Sequence, residues 1–174
     1  DEVAQLPPQL PDTSWGTQVL AVARSPHDRA LWVGTYSRGI FVTRTDSTQK
    51  WRRIVSSDSN SISWDFVNSL AFGSDSTVWY GTVGNGFGRS LDNGRTWRNW
   101  TFDQLGPEWQ YVAADGIRTR GDTTFIATAD GLRITTDQGE TWRCIQATSR
   151  IAGGSTANKP DGCTEKIHSL PTEY

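Results

Sequence analysis

The amino-acid sequence predicts an all-β fold, an array of three four-stranded antiparallel sheets. A set of four apolar or aromatic segments recurs three times along the 174 residues, and a repeat of this size usually sets the architecture of a chain. The segments are short, rich in β-branched or aromatic residues, and bounded by Gly, Asp, Ser or Asn, as strands are. No apolar period of 3.6 residues is convincing, so we expect little helix.

The four strands of each repeat align in the same order. The first strand is apolar and falls at 19–22, 67–70 and 112–114, and the second is β-rich and falls at 31–35, 78–82 and 124–128. The third strand opens with a glycine (Gly39, Gly86, Gly131), and the fourth opens with a tryptophan (Trp51, Trp97, Trp142). We expect the three glycines to follow tight turns and to adopt a positive φ.

Four antiparallel strands in about 45 residues are typical of one blade of a β-propeller. The predicted organisation is an extended lead-in at 1–16, three blades at 17–56, 66–103 and 110–147, and a loop with a C-terminal strand at 148–174. The array is incomplete or completed by a partner, because closed propellers usually have four to eight blades. Two copies could close a six-bladed ring, the chain could be part of a longer propeller, or the open sheets could pack on a larger partner.

The C-terminal strand repeats the pattern of the first strands. The segment 165–170 is similar to 66–70 in its order of apolar and polar residues. Two alternatives follow: this segment begins a fourth blade, or it returns to complete an earlier sheet.

The turn between the third and fourth strands carries a sharper motif, S/T-x-D-x-G-x-T-W, in two of the repeats. Its residues are Ser90, Asp92, Gly94, Thr96 and Trp97 in one copy and Thr135, Asp137, Gly139, Thr141 and Trp142 in the other. The aspartate can accept hydrogen bonds from backbone N–H groups of its own turn, and the glycine can adopt the left-handed conformation. We expect the tryptophan to fill the gap toward the adjoining sheet. The first repeat keeps Asp46 and Trp51 but lacks the glycine, which predicts a longer or differently bent turn.

This motif resembles the Asp-box (BNR) repeat of sialidase-like and sortilin-like propellers. The residues 31–35 and 39–40 of the first repeat are similar to the repeats of two-component-regulator propellers, and the pattern as a whole resembles the photosystem II assembly factor of Asp-box type. The resemblance implies turn-stabilising aspartates at the blade periphery. The arginine set, the Tyr–Glu pair and the early Arg-Ile-Pro of sialidases are absent, and Arg53-Ile54-Val55 lacks the proline. The sequence therefore predicts that the chain is not an enzyme.

Composition and motifs exclude several classes of partner and ligand. The 17 Lys and Arg against 19 Asp and Glu do not favour nucleic acid, which is bound through its phosphate charges. No segment has the roughly 20 apolar residues of a membrane-spanning helix, so we expect no transmembrane segment in this chain. His27 and His168 have no Cys or His at metal-ligand spacing, and no phosphate-binding loop is present, so we expect no cofactor and no metal.

The two cysteines favour an oxidising compartment. Cys144 and Cys163 bracket a polar loop, and we expect them to form a disulfide rather than two free thiols. A disulfide that closes a loop of this size stabilises a fold by about 3 kcal/mol. Such bonds persist in a periplasm or outside the cell, which predicts a periplasmic or extracellular location on the lumenal face of a membrane.

Trp64 and Trp109 are the candidate partner contacts. Both stand shortly before the first strand of a blade, so they share one rim if the blades are equivalent. Exposed tryptophans are enriched at the centres of protein interfaces. The alternative is that they fill blade junctions, as we also expect for Trp15 and Trp100.

These observations predict a non-catalytic protein-interaction module. We expect an accessory or assembly subunit of a larger periplasmic or membrane-associated complex, and the resemblance to the assembly factor implies a photosynthetic one. The alternatives are a fragment of an extracellular sensor propeller and a carbohydrate-binding or sialidase-like propeller. A homodimer that closes a six-bladed ring is the second choice of partner.

Overall fold

The computed structural model describes residues 18–43, 51–105, 111–129, 131–146 and 163–166, and every structural statement below concerns these residues. Their strands form three separate sheets, which we call blades 1, 2 and 3. Blade 1 contains β1 (Val19–Arg24), β2 (Leu31–Thr35), β3 (Ile40–Thr43) and β4 (Trp51–Ile54). Blade 2 contains β5 (Val67–Phe72), β6 (Val78–Thr82), β7 (Phe87–Ser90) and β8 (Arg98–Trp100). Blade 3 contains β9 (Val112–Arg120), β10 (Thr123–Thr128), β11 (Gly131–Thr135) and β12 (Trp142–Gln146), with β13 (Cys163–Lys166) beside β12.

The four-stranded blades are antiparallel meanders in chain order, so the predicted all-β propeller array is confirmed. One four-residue helix, α1 (Phe102–Leu105), follows blade 2. The turn between the second and third strands has the same construction in blades 1 and 2. Thr35 donates from its backbone N–H and its hydroxyl to the Gly39 carbonyl, and Thr82 does so to Gly86. Gly39, Gly86 and Gly131 all have a positive φ, as the tight turn predicts.

The core lies between the blades rather than inside a single sheet. One buried cluster joins blade 1 to blade 2 around Trp32, Tyr80 and Trp97. A second cluster joins blade 2 to blade 3 around Trp79 and Trp142. Large aromatic side chains bury much apolar area each, which lets a chain with modest hydrophobic content build cores between thin layers.

The first strand of blade 3 is longer and less regular than the sequence predicts. The expected strand at 112–114 is only the start of β9, which continues to Arg120. Val112 pairs with Thr128, and Ile117 pairs with Ile126, so five residue steps on β9 face two on β10. The additional residues, including Asp115 at a φ of 52°, form a bulge that bends the strand.

The described part of the C-terminal segment joins an earlier sheet, which is the second of the two alternatives for it. β13 runs parallel to β12, with Trp142 opposite Cys163 and Cys144 opposite Lys166. It therefore extends the outer edge of blade 3 and begins no fourth blade among the described residues. A parallel pair needs a connection of about a dozen residues or more, and residues 147–162 separate β12 from β13.

Several sequence predictions fall outside the described residues. They are the lead-in at 1–16, the first-repeat turn with Asp46, the side chain of Cys163, and the residues Trp15, Trp109 and His168. The Cys144–Cys163 disulfide consequently stays a prediction.

Candidate interaction surface

The motif turn of blade 2 is organised around the Asp92 carboxylate. Its Oδ1 accepts the backbone N–H groups of Arg95 and Thr96, both at 2.9 Å, and the Ser90 hydroxyl at 2.7 Å. Its Oδ2 accepts the Thr96 hydroxyl at 2.7 Å. Ser90 Oγ in turn accepts the backbone N–H of Gly94, which has a φ of 77°. The side chain thus replaces backbone partners that a tight turn would otherwise leave unpaired.

The motif turn of blade 3 repeats this network around Asp137. Its Oδ1 accepts the Thr141 N–H at 2.9 Å and the Thr135 hydroxyl at 2.8 Å, and its Oδ2 accepts the Thr141 hydroxyl at 2.6 Å. Gly139 has a φ of 89° and donates its N–H to Thr135 Oγ1. Two copies with the same bonds show that the motif specifies this turn locally.

The hydrogen bonds hold both turn carboxylates in their ionised form. For Asp92, burial acts to raise the pKa, but the bonds from Thr96, Ser90 and Arg95 together outweigh it and lower the pKa to about 2. For Asp137, the hydroxyl and N–H of Thr141 lower the pKa to about 2 against a smaller effect of burial. Acids that stay ionised and accept bonds from their own turn are poor proton donors at neutral pH.

The motif turns also fasten neighbouring blades together. Trp97 of blade 2 meets Trp32 of blade 1 edge to face at 6.5 Å, and Trp142 of blade 3 meets Trp79 of blade 2 at 6.1 Å. Arg52 of blade 1 donates to the backbone carbonyl of Gly94 at 2.7 Å. The tryptophans therefore fill the gaps between sheets, and the turns have a structural role in this array.

A cleft of about 580 Å³ opens at the outer edge of the junction between blades 1 and 2. Arg52, Asp28 and Asp92 line it. These charged groups already hold the two blades: Arg52 bonds the blade 2 turn, Asp28 accepts from Asn93 Nδ2 at 3.0 Å, and Asp92 bonds its own turn. The cleft is thus the outer side of a blade junction rather than a built ligand site.

A row of aromatic side chains lies along a different surface, the rim where second strands end and first strands begin. Tyr36 follows β2, Trp64 and Phe66 precede β5, and Tyr111 precedes β9. Tyr36 and Phe66 are 4.2 Å apart between ring centroids, and Phe66 and Trp64 are 5.5 Å apart. We call these four residues the aromatic rim. Trp64 is 40% exposed and Tyr111 is 47% exposed.

Gly84 forms the floor between the two exposed rings. A Cβ placed on Gly84 would lie 3.2 Å from Cζ3 of Trp64 and 3.4 Å from Cε1 of Tyr111. Both rings therefore pack closely over Gly84, and a larger residue at this position would push them away. Gly84 lies between β6 and β7, and Tyr111 precedes β9, so this contact joins blade 2 to the start of blade 3.

The loop that carries Trp64 and Phe66 is anchored by Asp65, which stands between them. The Asp65 carbonyl accepts the Gly39 N–H at 2.9 Å, and its Oδ1 accepts the Ser56 N–H at 2.7 Å. These bonds fix the backbone of the loop and so restrict the positions of the Trp64 and Phe66 rings. A rigid aromatic anchor loses less conformational entropy on binding than a mobile one.

The sequence identified only part of this surface. It nominated Trp64, which belongs to the aromatic rim, and Trp109, which lies outside the described residues. It missed Tyr36, Phe66 and Tyr111. A signal for two of them exists, because Phe66 and Tyr111 each stand directly before the first valine of a blade.

The described residues include no group of three or more His, Cys, Asp or Glu side chains that could hold a metal ion. Within the same residues, no helix has the length and apolar character needed to cross a membrane. His27 is exposed, and its Nε2 lies 3.0 Å from the Gly73 carbonyl of blade 2, so it takes part in a blade contact.

The chain matches no protein-family model and no curated protein. Among solved structures, it is similar to the extracellular domain of a hybrid two-component system from B. thetaiotaomicron, with 14% sequence identity and a TM-score of 0.59 over 84% of this chain and 20% of that one. It is also similar to YCF48 from Cyanidioschyzon merolae (14% identity, TM-score 0.49, 76% and 38% of the two chains). A third is the computationally designed Ika8 protein (16% identity, TM-score 0.48, 74% and 36%). The chain thus spans a fifth of the first structure, and the likeness to it shows the fold.

Proposed function

We propose that this chain is a non-catalytic interaction module that binds a protein partner through the aromatic rim. The observation that carries the proposal is the pair of exposed rings, Trp64 and Tyr111, held above Gly84 and continuous with Phe66 and Tyr36. Contiguous exposed apolar surface on a folded protein marks interaction sites, and Trp and Tyr are enriched in their energetic centres.

The state of the acidic side chains supports a role without catalysis. We infer that the two motif turns are Asp-boxes, since both use one Asp, one Ser or Thr and one glycine to close the turn. Asp92 and Asp137 have a pKa of about 2, and their carboxylate oxygens accept hydrogen bonds from their own turns. A general acid instead needs a pKa near the working pH.

We further propose that the partner is a larger complex in a periplasm or on an extracellular membrane face. The predicted Cys144–Cys163 disulfide supports an oxidising compartment. The resemblance of the turn motif to the photosystem II assembly factor supports an accessory or assembly role at a photosynthetic membrane.

The test is the native mass of the complex recovered when the full chain is purified gently from its source. We expect the wild-type chain in a large assembly and the double variant Trp64→Ala, Tyr111→Ala outside it. The matched control is Leu91→Ala, because Leu91 is also an exposed apolar residue, 51% exposed, but lies in the blade 2 turn. Equal recovery of the assembly with all three chains would refute binding through the rim.

A second candidate is carbohydrate binding, favoured by the two exposed aromatic rings of Trp64 and Tyr111 that flank Gly84. Ring faces can stack on the apolar face of a sugar, in the manner of other aromatic ligand sites. Titration with oligosaccharides, followed by tryptophan fluorescence, separates the candidates. Saturable quenching that Trp64→Ala abolishes would favour carbohydrate, and no quenching would favour a protein partner.

A further inference from the structure

The first strands of the three blades contain equivalent residues. The residue on the second strand with which each one pairs identifies the equivalent positions. Val19 pairs with Thr35, Val67 with Thr82, and Val112 with Thr128. Each valine therefore stands at the same position of its blade. Val67 and Val112 are buried against the preceding blade, whereas Val19 is 46% exposed.

A second set of equivalent positions behaves in the same way. Val22 pairs with Val33, Leu70 with Tyr80, and Ile117 with Ile126. Leu70 and Ile117 are buried in the two blade junctions, and Val22 is 62% exposed. We call the side of a blade that carries these positions its leading face. On blade 1, the inner strand of this face is open.

The outer part of the same face is already covered. Phe41 is buried beneath the ring of Trp51, at 6.5 Å between centroids, and the guanidinium of Arg53, at 5.8 Å. Any partner of the blade 1 leading face would therefore meet mainly β1. Trp51 is only half-buried and occupies the position of Trp97 and Trp142, which pack against the preceding blade.

The opposite end of the array carries the matching surface. We call the side that receives the next blade the trailing face. In blades 1 and 2 its residues are almost fully buried, as Trp32 and Trp79 are. In blade 3 the equivalent residues are partly exposed: Phe125, Ala127, Leu132 and Ile134.

We propose that the leading face of blade 1 binds the trailing face of blade 3 in a second copy of this chain. Two such contacts close a ring of six blades with two-fold symmetry, which lies within the usual range of propeller sizes. The occupant is a second copy because one chain carries both halves of the junction. On the leading face, Val19 and Val22 are equivalent to residues that pack in the internal junctions, and on the trailing face the residues of blade 3 other than Ala127 are too. This inference does not depend on the aromatic rim, which lies at a different surface.

The proposed junction is wider than the two internal junctions at one position, where blade 3 has an alanine and blades 1 and 2 have a glycine. A Cβ on Gly34 would lie 2.6 Å from the Val67 carbonyl oxygen, and a Cβ on Gly81 would lie 2.6 Å from Cγ1 of Val112. Blade 3 has Ala127 at this position. Its methyl group keeps the incoming Val19 strand farther away than glycine does in the two internal junctions. We therefore expect Ala127→Gly to tighten the dimer, although glycine in a strand otherwise destabilises a fold.

The experiment is analytical ultracentrifugation of the full chain across a wide concentration range. We expect the wild type to dimerise with twice the chain mass. Val22→Asp on the leading face and Ala127→Glu on the trailing face should each raise the dissociation constant at least ~10-fold, as loss of a central interface contact does. Leu91→Asp is the control, because it places the same charge at a similarly exposed residue outside both faces.

Mixing the two interface variants tests the head-to-tail geometry. In a dimer of one variant, both junctions contain a substituted face. In a mixed dimer, the unsubstituted leading face of the Ala127→Glu chain meets the unsubstituted trailing face of the Val22→Asp chain, so one junction is intact. We expect mixed dimers where neither variant alone dimerises, with unchanged near-ultraviolet circular dichroism as the check of folding. A wild type that stays monomeric at every concentration would overturn the proposal, as would a mixture that stays monomeric.

The Ala127→Gly variant gives an independent result. A several-fold lower dissociation constant supports close approach of the two faces, and an unchanged or higher one places the dimer contact elsewhere and overturns the proposal. Trp64→Ala with Tyr111→Ala should leave dimerisation unchanged, so that failure of the rim proposal and failure of this one remain distinguishable.

Discussion

The two blade junctions are built from the same repeat but are fastened at different places. The junction between blades 1 and 2 has its polar contacts at outer turns and loops: Arg52 bonds the Gly94 carbonyl, and Asn93 bonds Asp28. The junction between blades 2 and 3 is bonded at the inner strands. There Asn68 Nδ2 donates to the Val112 carbonyl at 2.9 Å, and the Ile117 N–H donates to Ser69 Oγ at 3.1 Å.

The difference concerns solvent as well as position. Asn68 and Ser69 are buried, so their bonds are shielded from competing water. The second junction also has an outer ion pair between Arg98 and Glu140, but both side chains are about half exposed, and such pairs contribute little. Two junctions of the same repeat can therefore share a strand pattern and still have their polar contacts at different places, one at the outer turns and the other at the first strands of the blades. We expect the second junction to be the more sensitive to single substitutions.

The largest expected effect is at the tryptophan cluster of the second junction. Trp79 is buried, stacks on Trp100 at 5.8 Å and meets Trp142 at 6.1 Å. Trp79→Ala should lower the free energy of unfolding by about 3–5 kcal/mol, because it leaves a cavity between blades. Urea denaturation measures the change. Trp64→Ala is the control, and we expect it to cost far less since that ring is exposed.

A loss after Trp79→Ala no greater than that after Trp64→Ala would show that the cluster does not hold blade 3.

The inner-strand bond comes next in size. Asn68→Ala removes the donor to Val112 and should cost about 1–2 kcal/mol, the range for a buried hydrogen bond. Asn93→Ala removes a polar contact of the first junction and should cost less, because that contact is partly exposed. Native-state hydrogen exchange should show faster opening of β9 in the Asn68 variant only. Equal losses in the two variants would contradict the contrast between shielded and exposed contacts.

The outer arginines give a smaller effect that sharpens the same contrast. Arg52→Ala loses bonds to two turn carbonyls, of Asn93 and Gly94, and should cost about 1 kcal/mol. Arg98→Ala loses an exposed ion pair and should cost roughly 0–1 kcal/mol. High salt should weaken the Arg98 contribution more, because the Arg52 bonds go to neutral carbonyls. Thermal denaturation with and without added salt distinguishes them, and a reversed order would refute this assignment.

The smallest effect is the pH dependence of the motif turns. Asp92 and Asp137 have a pKa of about 2 in the fold, below the ordinary value of 3.8. Their contribution is therefore fully present above pH ~4 and is lost as the pH falls through about 2. Because both sites are near the surface, we expect less than ~1 kcal/mol from each turn. Asp92→Asn should make the free energy of unfolding depend less on pH between about pH 4 and pH 2. An unchanged dependence on pH in this range would argue against these bonds.

The strand order and the turns are determined by the sequence itself, since they depend on neighbouring residues. Alternating and β-branched segments identify the strands, and a glycine such as Gly86 or Gly94 marks a positive φ because its local turn requires it. The motif residues of Asp92 and Asp137 specify their own hydrogen bonds within the turn. For the same reason, the three-blade array could be predicted before its packing was known.

Only the tertiary structure decided which of the equivalent positions are covered. Val22 and Leu70 have the same place in the repeat, but one is exposed and the other is buried by a neighbouring blade. The tertiary structure also decided three other features: the bulge in β9, the parallel pairing of β13 and the contact of Phe66 with Tyr36. Each depends on segments that are distant in the sequence, and no local pattern in those segments predicts the contact. A periodic pattern records which face of a strand is apolar, whereas burial depends on what packs against that face.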